Sequence, residues 1–170
     1  MDTNIKQRGA ADAVAIFKKT GYDITIPEQE EIFYKTLTAV CKLMRQNNYL
    51  QTINHKGIYE IYQTDDKYLS FSNIRKFISE ITAVNYAVDL LTELRSMLNI
   101  KNNITDEQIQ ITASIIVNDM PYCLLTLADL KLCFKFIITG QFGKLYDRLD
   151  PSVIFDCINQ YRESLTYVKK

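Results

Sequence analysis

The sequence predicts an all-α protein, a single-domain helical bundle of about six helices that spans residues 1–170. Apolar residues recur at spacings of three and four along most of the chain. Capping signals precede several of these periodic segments. Only five glycines and three prolines interrupt the 170 residues, and no linker rich in Ser, Gly and Pro divides them.

The first two helices are predicted in the N-terminal part of the chain. Residues 10–21 read as a short helix that ends with two lysines and Gly21. A longer helix is predicted over 27–48, where Pro27 is followed by three glutamates. Proline suits a first turn because its missing N–H would have no partner there, and the helix dipole favours negative charge.

The middle of the chain gives one weak signal and one strong signal. Residues 57–70 are rich in Ile and Tyr, which favours a small two-stranded hairpin or irregular arm over a short helix and loop. After this arm, Ser72 is the predicted N-cap of a long helix over 73–99. Its broad apolar stripe predicts the spine of the bundle, and the same stripe would also suit a dimer face.

The last three helices are predicted from the residues at their starts. The capping residues are Thr105 with Gln108, Thr126 with Asp129, and Asp150 before Pro151. The helices are predicted over 105–119, 127–140 and 151–170. The second of them is apolar on almost every face except Asp129, Lys131 and Lys135, so we expect it to be buried nearly all round.

Composition and charge limit the classes of function. Lys plus Arg equals Asp plus Glu at 20 each, so no global field draws the protein to nucleic acid or to an anionic membrane. No apolar run approaches the roughly 18 residues that span a bilayer, and the first residues lack the apolar core of a signal peptide. We therefore expect a cytoplasmic protein. The scattered cysteines are expected to be reduced core thiols: Cys41, Cys123, Cys133 and Cys157.

Catalytic signatures are weak. The single histidine, His55, lies in the polar stretch 51–57 and reads as a surface loop residue. Neither a glycine-rich phosphate loop nor a CxxC pair occurs, and the paired aspartates lack the further oxygen ligands of a cation site. We expect no catalytic residue, no metal and no cofactor, which makes an enzyme the third choice of function.

One polar stretch stands out, 140-GQFGKLYDRLDP-151. Gly140 is expected to end a helix in the left-handed conformation and Gly143 to permit the turn, but neither role requires the Tyr-Asp-Arg triplet beside them. Lys131 and Lys135 are four residues apart, and a second basic pair repeats that spacing after the glycines. If 144–149 forms a helical turn, the four cations would converge around it. The candidate partner-binding residues are Lys131, Lys135, Phe142, Lys144, Tyr146, Asp147 and Arg148.

The segment 121–164 resembles a domain-of-unknown-function family of small proteins from Bacteroides-type bacteria and their phages or mobile elements. That family shares a pattern like LxDxKxCFxxxxxGxYGKLYDRxDxxxIxxWxxxY. The matching residues are Leu127, Asp129, Lys131, Cys133, Phe134, Gly140, Phe142, Gly143, Lys144, Leu145, Tyr146, Asp147, Arg148, Asp150 and Tyr161. The departures are Phe142, where Tyr is commoner, and Cys157, near a position where Trp is often seen.

The resemblance implies a shared surface and, by association with phage and plasmid genes, an accessory role in DNA replication, such as helping a helicase onto DNA. From residues and resemblance together we predict a non-enzymatic binding or adaptor protein that docks a protein partner through residues 140–150. The alternative is weak nucleic-acid binding through the local basic patch, which would fall steeply with salt. A homo-oligomer is also compatible with the sequence.

Overall fold

The computed structural model describes residues 27–44, 61, 63–143 and 147–168. Within these ranges all regular structure is helical and no strand is present, which confirms the all-α fold class. The chain divides into two compact units, Met1–Tyr34 and Lys35–Lys170. The single domain predicted over 1–170 stays a prediction. The short helix predicted over 10–21 lies outside the described residues.

Six α-helices and two 3-10 helices follow one another in the described ranges. The α-helices are α1 (Pro27–Met44), α2 (Phe71–Phe77), α3 (Glu80–Met97), α4 (Asp106–Asn118), α5 (Leu127–Ile138) and α6 (Pro151–Val168). The 3-10 helices are Asp65–Tyr68 and Tyr122–Leu124. The starts predicted for α1, α4, α5 and α6 are confirmed.

The single helix predicted over 73–99 is wrong, because the chain forms two helices with a break at Ser79. Ser70 and Ser79 are the N-caps, and each side-chain oxygen accepts a hydrogen bond from the backbone N–H three residues on, at 3.1 and 3.0 Å. Ser72, the predicted cap, lies inside α2. Ser79 is fully extended at φ −171°, so its hydroxyl starts a new helix where the apolar periodicity continues.

The hairpin predicted near 57–70 is wrong for the part of that segment that the structure describes. Asp65–Tyr68 is a 3-10 helix, and the Thr64 hydroxyl accepts a hydrogen bond from the Asp66 N–H at 3.4 Å. Short oxygen-bearing side chains such as these compete for backbone donors and favour turns over strands. Residues 57–60 and 62 lie outside the described residues.

The core of the second unit is built mainly from α3, α4 and α5. The helices α3 and α4 make the most extensive pairing, and α5 packs against both α3 and α6. Fully buried small residues, Ala83 and Ala87 on α3 and Ala113 on α4, allow close approach of the helix axes. As predicted, α5 is buried on nearly every face. Asp129, one of the three charged residues of this helix, is also 0% exposed.

The cysteine prediction is confirmed at three of four positions. The thiols of Cys123, Cys133 and Cys157 are buried and unoxidised, whereas Cys41 is exposed on α1. Cys41 directly follows the buried Val40, but the helical turn places it on the outer face. No helix among the described residues is long and apolar enough to cross a membrane. His55 lies outside the described ranges.

Candidate functional site

The helix α5 ends in a glycine turn of the Schellman type, as the sequence predicts. Gly140 has φ +75°, its N–H donates to the carbonyl of Ile137 at 3.1 Å, and the Gln141 N–H donates to Phe136 at 2.9 Å. Gly143 has φ +95°, and a Cβ added there would meet no atom within 4 Å. Backbone conformation, not lack of space, is therefore what requires glycine at this position.

The other end of the stretch is held by a loop that the sequence did not connect to it. The Asn102 N–H donates to the carbonyl of Asp147 at 3.1 Å, and the Leu149 N–H donates to the carbonyl of Asn102 at 2.8 Å. Leu149 is buried, and Asp150 Oδ1 accepts from the Val153 N–H at 3.1 Å as the N-cap of α6. We call residues 140–150 the corner; its second end is fixed by both the α3–α4 loop and α6.

Asp147 occupies a backbone conformation that is uncommon for residues other than glycine. Its φ is +23°, the one positive value among the non-glycine residues that the structure describes. The side chain is exposed, while the carbonyl is bound by Asn102. Such a conformation costs free energy, so it persists where surrounding contacts determine it.

Lys131 does not join the exposed basic group that the sequence predicts. Its Nζ is buried without a hydrogen-bond partner and lies 3.6 Å from Glu93 Oε1 on α3. Burial lowers the pKa of the Lys131 ammonium, and the Glu93 carboxylate partly offsets that effect. The helix packing turns the Lys131 amine toward α3, away from the exposed basic residues, and a part for Lys131 in a partner surface stays a prediction.

The structure describes two of the three remaining basic candidates, Lys135 and Arg148. Lys135 and Arg148 are exposed, and Arg148 Nε lies 3.3 Å from Asp150 Oδ2. An ion pair this open to water is weak and easily exchanged for another partner. Lys144 and Tyr146 lie outside the described residues, so the convergence of four cations stays a prediction for them.

Phe142 links the corner to the core. Its ring is half-buried and packs edge-on against Phe136, with centroids 5.9 Å apart. Phe136 in turn packs edge-on against Tyr161 of α6 at 6.0 Å. This aromatic chain leaves part of the Phe142 ring exposed while it restricts how the corner can move.

In the first turn of α5, Asp129 performs a structural task beyond the predicted capping. Its Oδ2 accepts from the N–H and the hydroxyl of Thr126 at 2.9 and 2.8 Å, which confirms the capping box. Its Oδ1 accepts from the Tyr161 hydroxyl at 2.9 Å. Sequence reasoning missed this second role, since no local pattern joins residues 32 positions apart. Asp129 and Tyr161 both match the family pattern given above, so part of that pattern stabilises the fold.

The described residues offer little for catalysis. Burial raises the pKa of Cys133 well above its usual value, with Cys157 and Asp129 adding to the effect, and burial likewise raises the pKa of Cys157. These thiols therefore stay protonated and make poor nucleophiles. No group of three or more His, Cys, Asp or Glu residues that could hold a metal occurs in the described ranges.

No protein-family model, curated protein or solved structure matches the chain. The resemblance of 121–164 to the family of phage and mobile-element proteins stays an expectation that rests on the motif residues.

Proposed function

We propose that this protein is a non-enzymatic adaptor that docks a protein partner through the corner. The observation that carries the proposal is the exposed, non-glycine Asp147 at φ +23°, bound through its carbonyl by Asn102. Glycine adopts a positive φ at the lowest cost, and the chain uses it at 140 and 143. Strained residues held by their surroundings cluster at functional sites.

The chemistry of the exposed side chains also supports docking. Gln141, Asp147 and Arg148 are exposed, and the ring of Phe142 is partly exposed. Aromatic residues and arginine are enriched where protein interfaces gain most of their affinity. Because the turn is already fixed by backbone hydrogen bonds, little further ordering of the described part of the corner would oppose binding.

The identity of the partner is proposed from the resemblance alone. Relatives beside phage and plasmid genes favour a DNA-replication accessory role, with a replication protein such as a helicase as the partner. Direct nucleic-acid binding is the less favoured alternative. Of the described basic candidates, Lys131 is buried beside Glu93, which leaves Lys135 and Arg148 exposed, whereas nucleic-acid affinity depends on several available cations.

The test is partner capture by purified protein from cells of the native host, with mass spectrometry to identify what is retained. Wild type is compared with a Lys144→Ala, Tyr146→Ala, Arg148→Ala variant, and circular dichroism checks that helix content is unchanged. The matched control is Tyr34→Ala with Lys42→Ala, which removes an exposed aromatic ring and an exposed cation on α1.

A partner that is retained by wild type and by the control but lost from the triple variant supports docking through the corner. A replication protein among the retained partners supports the finer assignment. If the triple variant captures the same partners as wild type, the corner is a helix-to-helix turn and the proposal is wrong.

A further inference from the structure

A second exposed apolar surface lies in the turn between α4 and α5. Met120 is 68% exposed and Leu124 is 56% exposed. Between them Tyr122 is half-buried, and its ring packs on Phe155 of α6 with centroids 4.9 Å apart. We call these four residues the Met120 ledge. Exposed large apolar side chains grouped in this way mark interaction sites more often than isolated ones do.

Hydrogen bonds within the turn fix the conformation of the ledge. The Cys123 N–H donates to the carbonyl of Asp119 at 3.1 Å, and the Leu124 N–H donates to Pro121 at 3.3 Å. The buried Cys123 thiol also donates to the Met120 sulfur at 3.3 Å. A surface that is already ordered loses less entropy when a partner binds. Methionine adds a polarisable side chain that adapts to apolar partners of different shape.

The exposed charged residues next to the ledge in the sequence are acidic. Residues 102–130 contain no Lys or Arg, although a stretch of this length would carry about three at the average frequency of the chain. Asp119 precedes Met120 and Asp156 follows Phe155, and both aspartates are exposed. Two arginines lie nearby, and both are engaged by neighbouring groups. Arg162 lies over the Tyr122 ring at 5.8 Å and donates to Asn159 Oδ1 at 3.3 Å, and Arg75 donates to Asn118 Oδ1 at 2.9 Å.

The charges and the secondary structure around the ledge indicate which kind of partner could cover it. A second copy of the chain would bring one acidic rim against another, and an anionic membrane would be repelled in the same way. Pairing of an extended strand is disfavoured because the described ranges contain no sheet edge to extend. A helix satisfies its own backbone and can present an apolar stripe between basic residues.

We propose that the Met120 ledge docks an amphipathic helix of a partner protein. The apolar stripe of that helix covers Met120 and Leu124, and its flanking Lys or Arg residues face Asp119 and Asp156. The ledge includes none of residues 140–150. Docking at the ledge and docking through the corner are therefore independent proposals, and an experiment can contradict either one without the other.

The probe is a synthetic, fluorescently labelled helical peptide of Leu and Lys with leucines at helical spacing. Its binding to the full chain is followed by fluorescence anisotropy. We expect Met120→Ser with Leu124→Ser to weaken binding about tenfold or more. Asp119→Asn with Asp156→Asn should weaken binding and flatten its dependence on salt. Met97→Ser removes another exposed methionine, 57% exposed at the end of α3, and should bind as wild type does.

Several results would overturn the proposal. Wild type that fails to bind the peptide, or that binds equally well to a Leu and Glu peptide of the same pattern, would rule out a basic helix as the occupant. If both double variants bind the Leu and Lys peptide as tightly as wild type does, the peptide does not bind at the ledge. A concentration-dependent dimer that Met120→Ser with Leu124→Ser abolishes would show that a second copy covers the ledge instead. All the substituted side chains are exposed, so circular dichroism should show unchanged helix content.

Discussion

The Tyr161 hydroxyl on α6 donates a 2.9 Å hydrogen bond to Asp129 on α5, and both residues are 0% exposed. The same carboxylate caps the first turn of α5 through the N–H and hydroxyl of Thr126. A buried carboxylate needs several donors, because removing it from water is costly unless hydrogen bonds replace the hydration. One side chain thus starts one helix and joins it to the next.

Tyr161→Phe should destabilise the protein without changing its fold. The substitution keeps the ring against Phe136 but removes one donor from a buried carboxylate, which costs about 1–3 kcal/mol of unfolding free energy. Urea unfolding measures the change. Tyr34→Phe, at an exposed ring on α1, should leave the midpoint almost unchanged. Equal midpoints for the two variants would show that the Tyr161 hydroxyl contributes nothing.

The two serines near the break between α2 and α3 should respond in opposite directions. Ser79→Ala removes the side-chain oxygen that accepts from the Thr82 N–H and should lower the unfolding free energy by about 1 kcal/mol. Ser72→Ala lies inside α2 and should be neutral or stabilising by about 0.5 kcal/mol, because alanine has the higher helix propensity. The urea unfolding midpoints of the two variants measure these changes in unfolding free energy. A larger loss at Ser72 would restore the single long helix with its cap there.

Sequence reasoning succeeded where neighbouring residues decide the structure. The capping boxes at Thr105 and Thr126, the cap at Asp150 and the glycine turn at 140 depend on groups within a few positions of one another. A periodic pattern with a capping residue is enough to predict such features. Helix starts were therefore predicted more accurately than anything that involves two helices.

The failures share a cause, which is contact between distant parts of the chain. Helix periodicity shows that Lys131 lies on a polar stripe, but not that Glu93 of α3 lies 3.6 Å from its amine. The hydrogen bonds from Asn102 to the corner cross more than 40 positions, and nothing in either segment indicates the other. At Ser79 the apolar pattern continues through the break, so periodicity concealed it.

Substitutions at Asp147 should separate backbone strain from side-chain function. Asp147→Gly removes the cost of a positive φ, about 1 kcal/mol, and replaces it with a similar entropic cost in the unfolded chain, so stability should be nearly unchanged. Asp147→Val puts a β-branched residue at the same φ and should lose about 1–3 kcal/mol. Thermal unfolding compares the two variants. If glycine and valine prove equally costly, the corner carries no strain at this residue.

The contribution of Lys131 to the unfolding free energy should increase as the pH rises through the alkaline range. Burial holds the pKa of its ammonium below the ordinary value of 10.5. Below the folded pKa the amine is charged in both states, and the burial penalty applies in full. Between the folded pKa and 10.5 the unfolded chain binds more protons than the folded chain, so the unfolding free energy rises with pH in that window.

Comparison with Lys131→Met isolates this component. Burial raises the pKa of Tyr86, Cys133 and Cys157, which lowers stability at alkaline pH, but these groups are present in both proteins and cancel in the difference. The unfolding free energy of wild type minus that of the variant should therefore increase as the pH rises from the folded pKa of Lys131 to about 10.5. Parallel pH profiles for wild type and Lys131→Met would mean that the Lys131 amine reaches water in the folded protein, and the basic surface first predicted around the corner would then regain that cation.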